Sequence, residues 1–271
     1  MGPFEPMEYT WPVEVRGLVA RYGDHIVLDG VDFVAPPGEI TVILGRSGCG
    51  KSTLLKNALG LVDPFAGTVK LLGVDIARIS DKALKDLRSH IGVLFQNGAL
   101  FTSMTVGENV SMVIRETMNL PEDIIAQLVH MKLSLVGLED AIPKYPDELS
   151  GGMRKRVAIA RAIAADPKIL FCDEPSAGLD PVVASEIDDL LLNLKALFNM
   201  TLVVVTHELE SIKKIADRVV MIDAGRIMAH GTLDDVVEID NQIVSDFFGR
   251  VSHTEEKSRE SLYAISQGDH S

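Results

Sequence analysis

Hydrophobic positions along this chain follow two periods, and the changeover between them divides it. From Val13 to Val19 and from Ile26 to Val34, apolar and polar residues alternate, with a break at Tyr22-Gly23-Asp24. That alternation predicts a small antiparallel β layer near the N-terminus. Pro36-Pro37-Gly38 then turns the chain into Ile40–Leu44, an apolar run of strand length, and Leu54 to Leu61 reads as helix. Gly67–Leu72 is a further strand candidate, Ser80-Asp81 opens a charged helix to about Ser89, and Ile91–Phe95 is a short apolar strand ending at Gln96. From Thr105 to about Ala165 strand signals vanish and apolar residues take helical spacing, as at Ile124, Leu128 and Met131. Strand and helix patterns alternate again after Lys168, through Ile169–Cys172, Val182–Leu197, Thr201–Thr206, Glu208–Ala216 and Val219–Asp223.

The pattern predicts an α/β fold: a mainly parallel sheet covered by helices, an N-terminal antiparallel β layer and an inserted α-helical subdomain at about 100–165. Residues 1–12 are expected to be a leader, 13–248 one domain, and 249–271 a polar, disordered C-terminal tail. Within that tail, Leu262-Tyr263-Ala264-Ile265 is a candidate apolar anchor for a neighbouring subunit.

Candidate chemistry concentrates at the ends of the apolar strands. Gly45-Arg46-Ser47-Gly48-Cys49-Gly50-Lys51-Ser52-Thr53 sits between a strand and a helix, the layout of a phosphate-binding P-loop. Glycines let successive backbone N–H groups turn toward a polyphosphate, and the helix presents its positive end to the same anion. Lys51 is placed to reach the β- and γ-phosphates, and Ser52 to ligate Mg²⁺. Ile169-Leu170-Phe171-Cys172-Asp173-Glu174 is an apolar strand delivering two carboxylates, Asp173 toward Mg²⁺ and Glu174 as general base for an attacking water. Leu149-Ser150-Gly151-Gly152-Met153 precedes a second helix, whose N-terminus is another anion site or an ordinary capped start.

Composition narrows the options. With 46% hydrophobic residues the chain can bury a large core, yet no apolar run approaches the roughly 18 residues that span a bilayer. No signal peptide is visible, and Pro6 rules out a myristoylation signal at Met1-Gly2. A net charge of −13 argues against electrostatic binding of nucleic acid. The two cysteines, Cys49 and Cys172, lack zinc-like spacing and read as reduced thiols. Cys49, inside the P-loop, predicts partial inactivation by thiol reagents with protection by ATP.

The order of these motifs resembles the ABC-type ATPases. Leu149-Ser150-Gly151-Gly152-Met153 matches their signature, Gln96 the Q-loop, Ser176-Ala177-Gly178-Leu179-Asp180 the D-loop and His207 the switch histidine. Tyr22, 23 residues before Gly45, stands where the family places an adenine-stacking ring. The resemblance covers about Val13 to Phe248. It implies ATP and Mg²⁺ as cofactors, with Ser52, Gln96 and Asp173 around the metal and Glu174, Lys51 and His207 in hydrolysis. It also implies a head-to-tail dimer, in which Ser150, Gly152 and Asp180 of a second copy close each site.

A lone ATPase domain of this kind implies a partner permease in the membrane. The stretch Gly98-Ala99-Leu100-Phe101, with Leu120-Pro121 and Met131-Lys132-Leu133, is similar to the ATPase of Mla-type, MCE-associated phospholipid transport systems. That resemblance implies an MCE-domain protein, a possible small STAS-domain protein, and a place on the cytoplasmic face of a bacterial inner membrane. The alternatives are the ATPase of a small-solute importer of the amino-acid type, and a soluble non-transport ABC protein acting on ribosomes or DNA. The latter kind usually fuses two units or carries coiled-coil or basic inserts, which this sequence lacks. A simple P-loop kinase or GTPase is disfavoured by the signature helix and His207.

Overall fold

The computed structural model describes residues 10–249; the candidate anchor at 262–265 and most of the expected leader and tail lie outside the described residues. The alternating N-terminal runs form β1 (Val13–Tyr22) and β2 (His25–Ala35), which pair antiparallel. With β4 (Ala66–Leu71) and β5 (Val74–Asp75) they make a four-stranded sheet in the order β2-β1-β4-β5.

A second sheet carries the chemistry. Its strands are β3 (Ile40–Leu44), β6 (Ile91–Leu94), β7 (Ile169–Asp173), β8 (Thr201–Val205), β9 (Arg218–Asp223) and β10 (Arg226–Gly231). Their order is β10-β9-β3-β8-β7-β6, with β9 through β6 parallel and β10 antiparallel at the edge. Both faces of the parallel part are buried, which is why these strands read as unbroken apolar runs. Successive side chains alternate between two cores. Ile40, Val42, Leu44, Leu170, Cys172, Leu202 and Val204 join one hydrophobic cluster; Ile43, Phe171, Val203 and Val205 join the other.

The second cluster is roofed by α1 (Lys51–Ala58), α2 (Asp81–Arg88) and the antiparallel sheet. The first is closed by α3 (Val106–Thr117), α4 (Glu122–Leu135), α5 (Gly151–Ala162), α6 (Pro181–Phe198) and α7 (Leu209–Ile215). The chain then adds α8 (Leu233–Val237) and α9 (residues 242–249). Between β6 and β7 there are only helical elements. Helix α3 begins with a full capping box, Thr105 and Glu108 each bonding the other's backbone N–H.

Two details differ from the sequence reading. The buried face of α4 is Ile125, Val129 and Leu133; of the expected stripe only Leu128 packs against the same cluster. Ile124 and Met131 stay exposed, while Lys132 buries its stem, with its ammonium over the Phe198 ring and paired with Asp166. The short strand β5, the edge strand β10 and helices α8 and α9 are additional to the predicted elements. None of the helices among the described residues is long and apolar enough to cross a membrane.

Candidate active site

The P-loop follows β3 directly, and its glycines answer to close contacts. A Cβ on Gly45 would stand 2.1 Å from the Ile222 carbonyl oxygen, so only glycine lets β3 turn beside β9. Gly50 takes a left-handed φ of 112° as the N-cap of α1 and has no side chain to cap it, so the first N–H groups of the helix are not claimed by a local oxygen. Lys51, 9% exposed, lies back along the loop, donating from Nζ to the carbonyls of Gly45 at 2.8 Å and Arg46 at 3.0 Å.

The end of β7 supplies the carboxylates. Parallel pairing with β6 and β8 carries Asp173 to the sheet's C-terminal edge, where ligands collect in such folds. Burial first, and then the charge of adjacent Glu174, push the Asp173 carboxyl above its ordinary range. Glu174 adopts a left-handed φ of 49°, uncommon for a residue with a Cβ. That conformation is held from three sides. Its N–H donates to the Val205 carbonyl at 2.8 Å, its Oε1 meets His207 Nδ1 at 2.7 Å, and its carbonyl accepts from Lys155 Nζ at 2.9 Å. Its other oxygen, Oε2, is buried without a partner among the described residues. A buried acceptor left over in this way suits a water held for reaction.

These groups face one cavity of about 680 Å³, within the range of small-molecule sites. Its walls include Gly45, Ser47, Gly48, Gly50, Lys51, Ser52, Thr53, Gln96, Asp173, Glu174 and His207, as the sequence reading expected. Five expected residues are not in that wall. Tyr22 is half-exposed at the end of β1. Cys49 turns its side chain into the core beneath the antiparallel sheet, and burial pushes its thiol pKa up. A buried, protonated thiol is a poor nucleophile, so the expected thiol sensitivity does not follow from this geometry. Ser150 caps α5, its Oγ accepting from Met153 N–H at 3.3 Å, and Asp180 caps α6. Gly152 lies beneath α6, where a Cβ would be 2.6 Å from Val183 Cγ1.

Three residues near the site escaped the sequence reading. Asp246 and Phe247 reach the cavity from α9, near the end of the described chain, with Asp246 3.8 Å from the P-loop's Arg46. Lys155, in a run of basic residues on α5, is 7% exposed and bonds both Glu174 and Gln96. Behind the cavity, a buried chain of hydroxyls and carboxylates joins the segments after Glu174 and His207. Ser176 Oγ donates to Glu208 at 2.9 Å and lies 3.4 Å from Ser211 Oγ, which donates to Asp188 at 2.7 Å. Asp188 is 2% exposed, keeps one oxygen without a partner among the described residues, and has its pKa raised by burial.

Ser52, Gln96 and Asp173 offer oxygen donors to the cavity, a hard set of the kind Mg²⁺ takes together with water and nucleotide phosphates. No cluster of three or more His, Cys, Asp or Glu among the described residues could hold a metal alone.

Comparison with known proteins places this arrangement. The family model described as ABC transporter matches residues 28–177, more than half of the chain. The intermembrane phospholipid transport system ATP-binding protein MlaF of Haemophilus influenzae is 41% identical over 235 residues, spanning 87% of this chain and 89% of that relative. The methionine import ATP-binding protein MetN of Carboxydothermus hydrogenoformans is 46% identical over 209 residues, spanning 77% of this chain and 62% of its own length. A dimeric ATP-binding cassette solved in a post-hydrolysis state, bound to ADP and Pi, superposes with a TM-score of 0.74 at 30% identity, covering 82% of this chain and 98% of its own. With its P-loop, paired strand-end carboxylates and His207 on one cavity, the chain belongs to the ABC transporter ATP-binding family, the ATP-hydrolysing subunits of membrane transporters.

Proposed function

We propose that this chain drives phospholipid transport between membranes, as the ATPase partner of an integral-membrane permease and an MCE-domain lipid carrier. The observation that carries this reading is the match to the phospholipid-transport relative along nearly the full length of both chains. The Gly98-Ala99-Leu100-Phe101 stretch after Gln96, which resembles the same group, supports it. A small STAS-domain protein is a further candidate partner. Residues 13–248 form the ATPase domain in this reading, docked to the permease from the cytoplasmic side.

ATP occupies the cavity with its phosphates over the uncapped start of α1. Lys51 leaves the carbonyls of Gly45 and Arg46 for the phosphate oxygens, an exchange that replaces neutral acceptors with charged ones. Ser52, Asp173 and Gln96 would hold Mg²⁺, which would supply charge neutralisation on the phosphates. A water beside Glu174 attacks the γ-phosphorus: its oxygen forms the new P–O bond, the bond to the β-phosphate oxygen breaks, and Glu174 takes the water's proton. His207, already bonded to Glu174, orients that carboxylate.

Two copies arranged head to tail complete the reading, with Ser150, Gly152 and Asp180 of each closing the site of the other and Tyr22 covering the adenine. A closed two-fold pair gives two equivalent sites. The dimeric, ADP-bound relative is the support for this arrangement.

The competing reading is an importer of small solutes, favoured by the higher identity to the methionine-import relative over a shorter span. Purification of the complex from native membranes in detergent, with mass spectrometry of what accompanies it, separates the two. A permease, an MCE-domain protein and enriched phospholipid are expected. A permease with a solute-binding protein would keep the ATPase and overturn the lipid; no membrane partner at all would overturn transport.

A further inference from the structure

Lys155 is the one buried cation on α5 whose ammonium lies behind the reacting cavity, and it makes no hydrogen bond to a carboxylate. Its Nζ donates to two main-chain carbonyls, Gln96 at 2.5 Å and Glu174 at 2.9 Å. Burial lowers its pKa, and the nearby carboxylates of Asp173, Glu174 and Glu208 work against that shift. A charged group taken from water is stable only where partners hold it, so its place here calls for a reason beyond packing.

The reason lies in what the two carbonyls belong to. Gln96 and Glu174 follow the ends of adjacent strands, β6 and β7, just past the last residues that pair these two strands with each other. At Glu174 the backbone turns left-handed, and the carbonyl leaves the sheet to meet Lys155. The same helix grips the next stretch of the Gln96 loop. Arg161 donates to the carbonyls of Gly98 at 2.7 Å and Ala99 at 2.6 Å, both residues of positive φ. Helix α5 is also capped at its N-terminus by Ser150. One rigid rod therefore runs from the signature to the loop behind Gln96 and to the peptide of the general base.

We infer that Lys155 is a positioning residue for ATP hydrolysis: it ties the signature helix to the backbones of Gln96 and Glu174, so that a shift of α5 sets where the Glu174 carboxylate stands. The inference rests on Glu174 being the base in the proposed function. Loss of Lys155 frees the Glu174 peptide to leave its left-handed conformation, which displaces the carboxylate without touching the phosphate-binding loop.

The test uses the full chain with Lys155→Met, which keeps length and removes the donors, and Lys155→Gln, which keeps one donor group and guards against a folding failure of the first. Lys155→Met is expected to lower kcat by about 10- to 100-fold, with ATP affinity, read by a fluorescent nucleotide, changed less than about 3-fold. Lys155→Gln is expected to recover part of that loss. In the Glu174→Gln background Lys155→Met should lower turnover no further, because it acts through the carboxylate already removed. Turnover within about 2-fold of wild type in a folded Lys155→Met protein overturns the inference, as does an equal fall in ATP affinity and kcat. If Glu174→Gln itself hydrolyses ATP normally, the base assignment fails instead, and the two failures are told apart by that single variant.

Discussion

Helices α1 and α5 both start in glycine-rich loops, yet their first turns are finished differently. The N-cap of α1 is Gly50, which offers no side-chain oxygen, and its first turn lines the cavity. The N-cap of α5 is Ser150, whose Oγ already accepts from Met153 N–H. A helix start without a local acceptor is open to an anion; one with a cap is satisfied by itself. The hydroxyl of Ser150 accepts in that bond and still has its own proton to donate. So α1 leaves its first N–H groups open to an anion, whereas α5 is capped by its own chain and keeps an exposed hydroxyl donor, which the proposed head-to-tail pair would bring to a phosphate of the other copy.

The largest effect is expected on the α1 side. Glu174→Gln should retain ATP binding and lower turnover by about 10²- to 10⁴-fold, the range for removal of a general base; measured hydrolysis near the wild-type rate would take Glu174 out of the mechanism. Next comes the division of labour itself. A hetero-pair of Lys51→Met and Ser150→Phe, isolated through two different tags, keeps one intact site of two and should regain roughly half of wild-type hydrolysis where each variant alone is inactive. An inactive hetero-pair would place both halves in the same chain and break the comparison.

Smaller effects probe the supports. Burial raises the Asp188 pKa, so the folded protein holds that proton more tightly than the unfolded chain does. The resulting stabilisation is full in acid and is lost as pH rises through the raised pKa. Asp188→Asn should therefore melt higher than wild type at pH 8, by about 2–4 °C for roughly 1 kcal/mol, with the gap closing toward pH 4. A lower melting point at pH 8 would show the charged form to be the stable one. Smallest of all is the response of Cys49: because its thiol is buried, labelling in the folded protein should run at least about tenfold slower than in denaturant. Rapid native labelling would mean that the start of α1 opens.

Much of this was legible because the parallel strands are buried on both faces, leaving continuous apolar runs whose ends point at the chemistry. Edge strand β10 hid itself. It has solvent on one side, so Arg226 and His230 interrupt its pattern. Its signal lay in the turn: Ala224 and Gly225 both take positive φ, the backbone of a tight hairpin, and Ala-Gly is a weaker advertisement than Asn-Gly. The buried face of α4 was misread because a lysine occupies its core face, where period counting expects an apolar residue. Lys155 was invisible for a related reason. Between Arg154 and Arg156 it looks like one more solvated base, and only the fold brings Gln96 and Glu174 to it. Asp246 and Phe247 reach the P-loop through the packing of α9, which no local spacing announces.

The order of the parallel sheet also sets a timetable for making the protein. Strand β3, which carries the P-loop, is flanked by β8 and β9, whose first residues, Thr201 and Arg218, come about 160 residues or more after β3 ends. On a ribosome adding ~5–20 residues per second, that is a wait of roughly 8 to 30 s during which the most apolar strand of the molecule has no neighbours. Contacts so distant in sequence also close slowly. The nascent chain thus passes through a long interval in which its nucleotide loop is fully translated and the two strands that flank β3 do not yet exist.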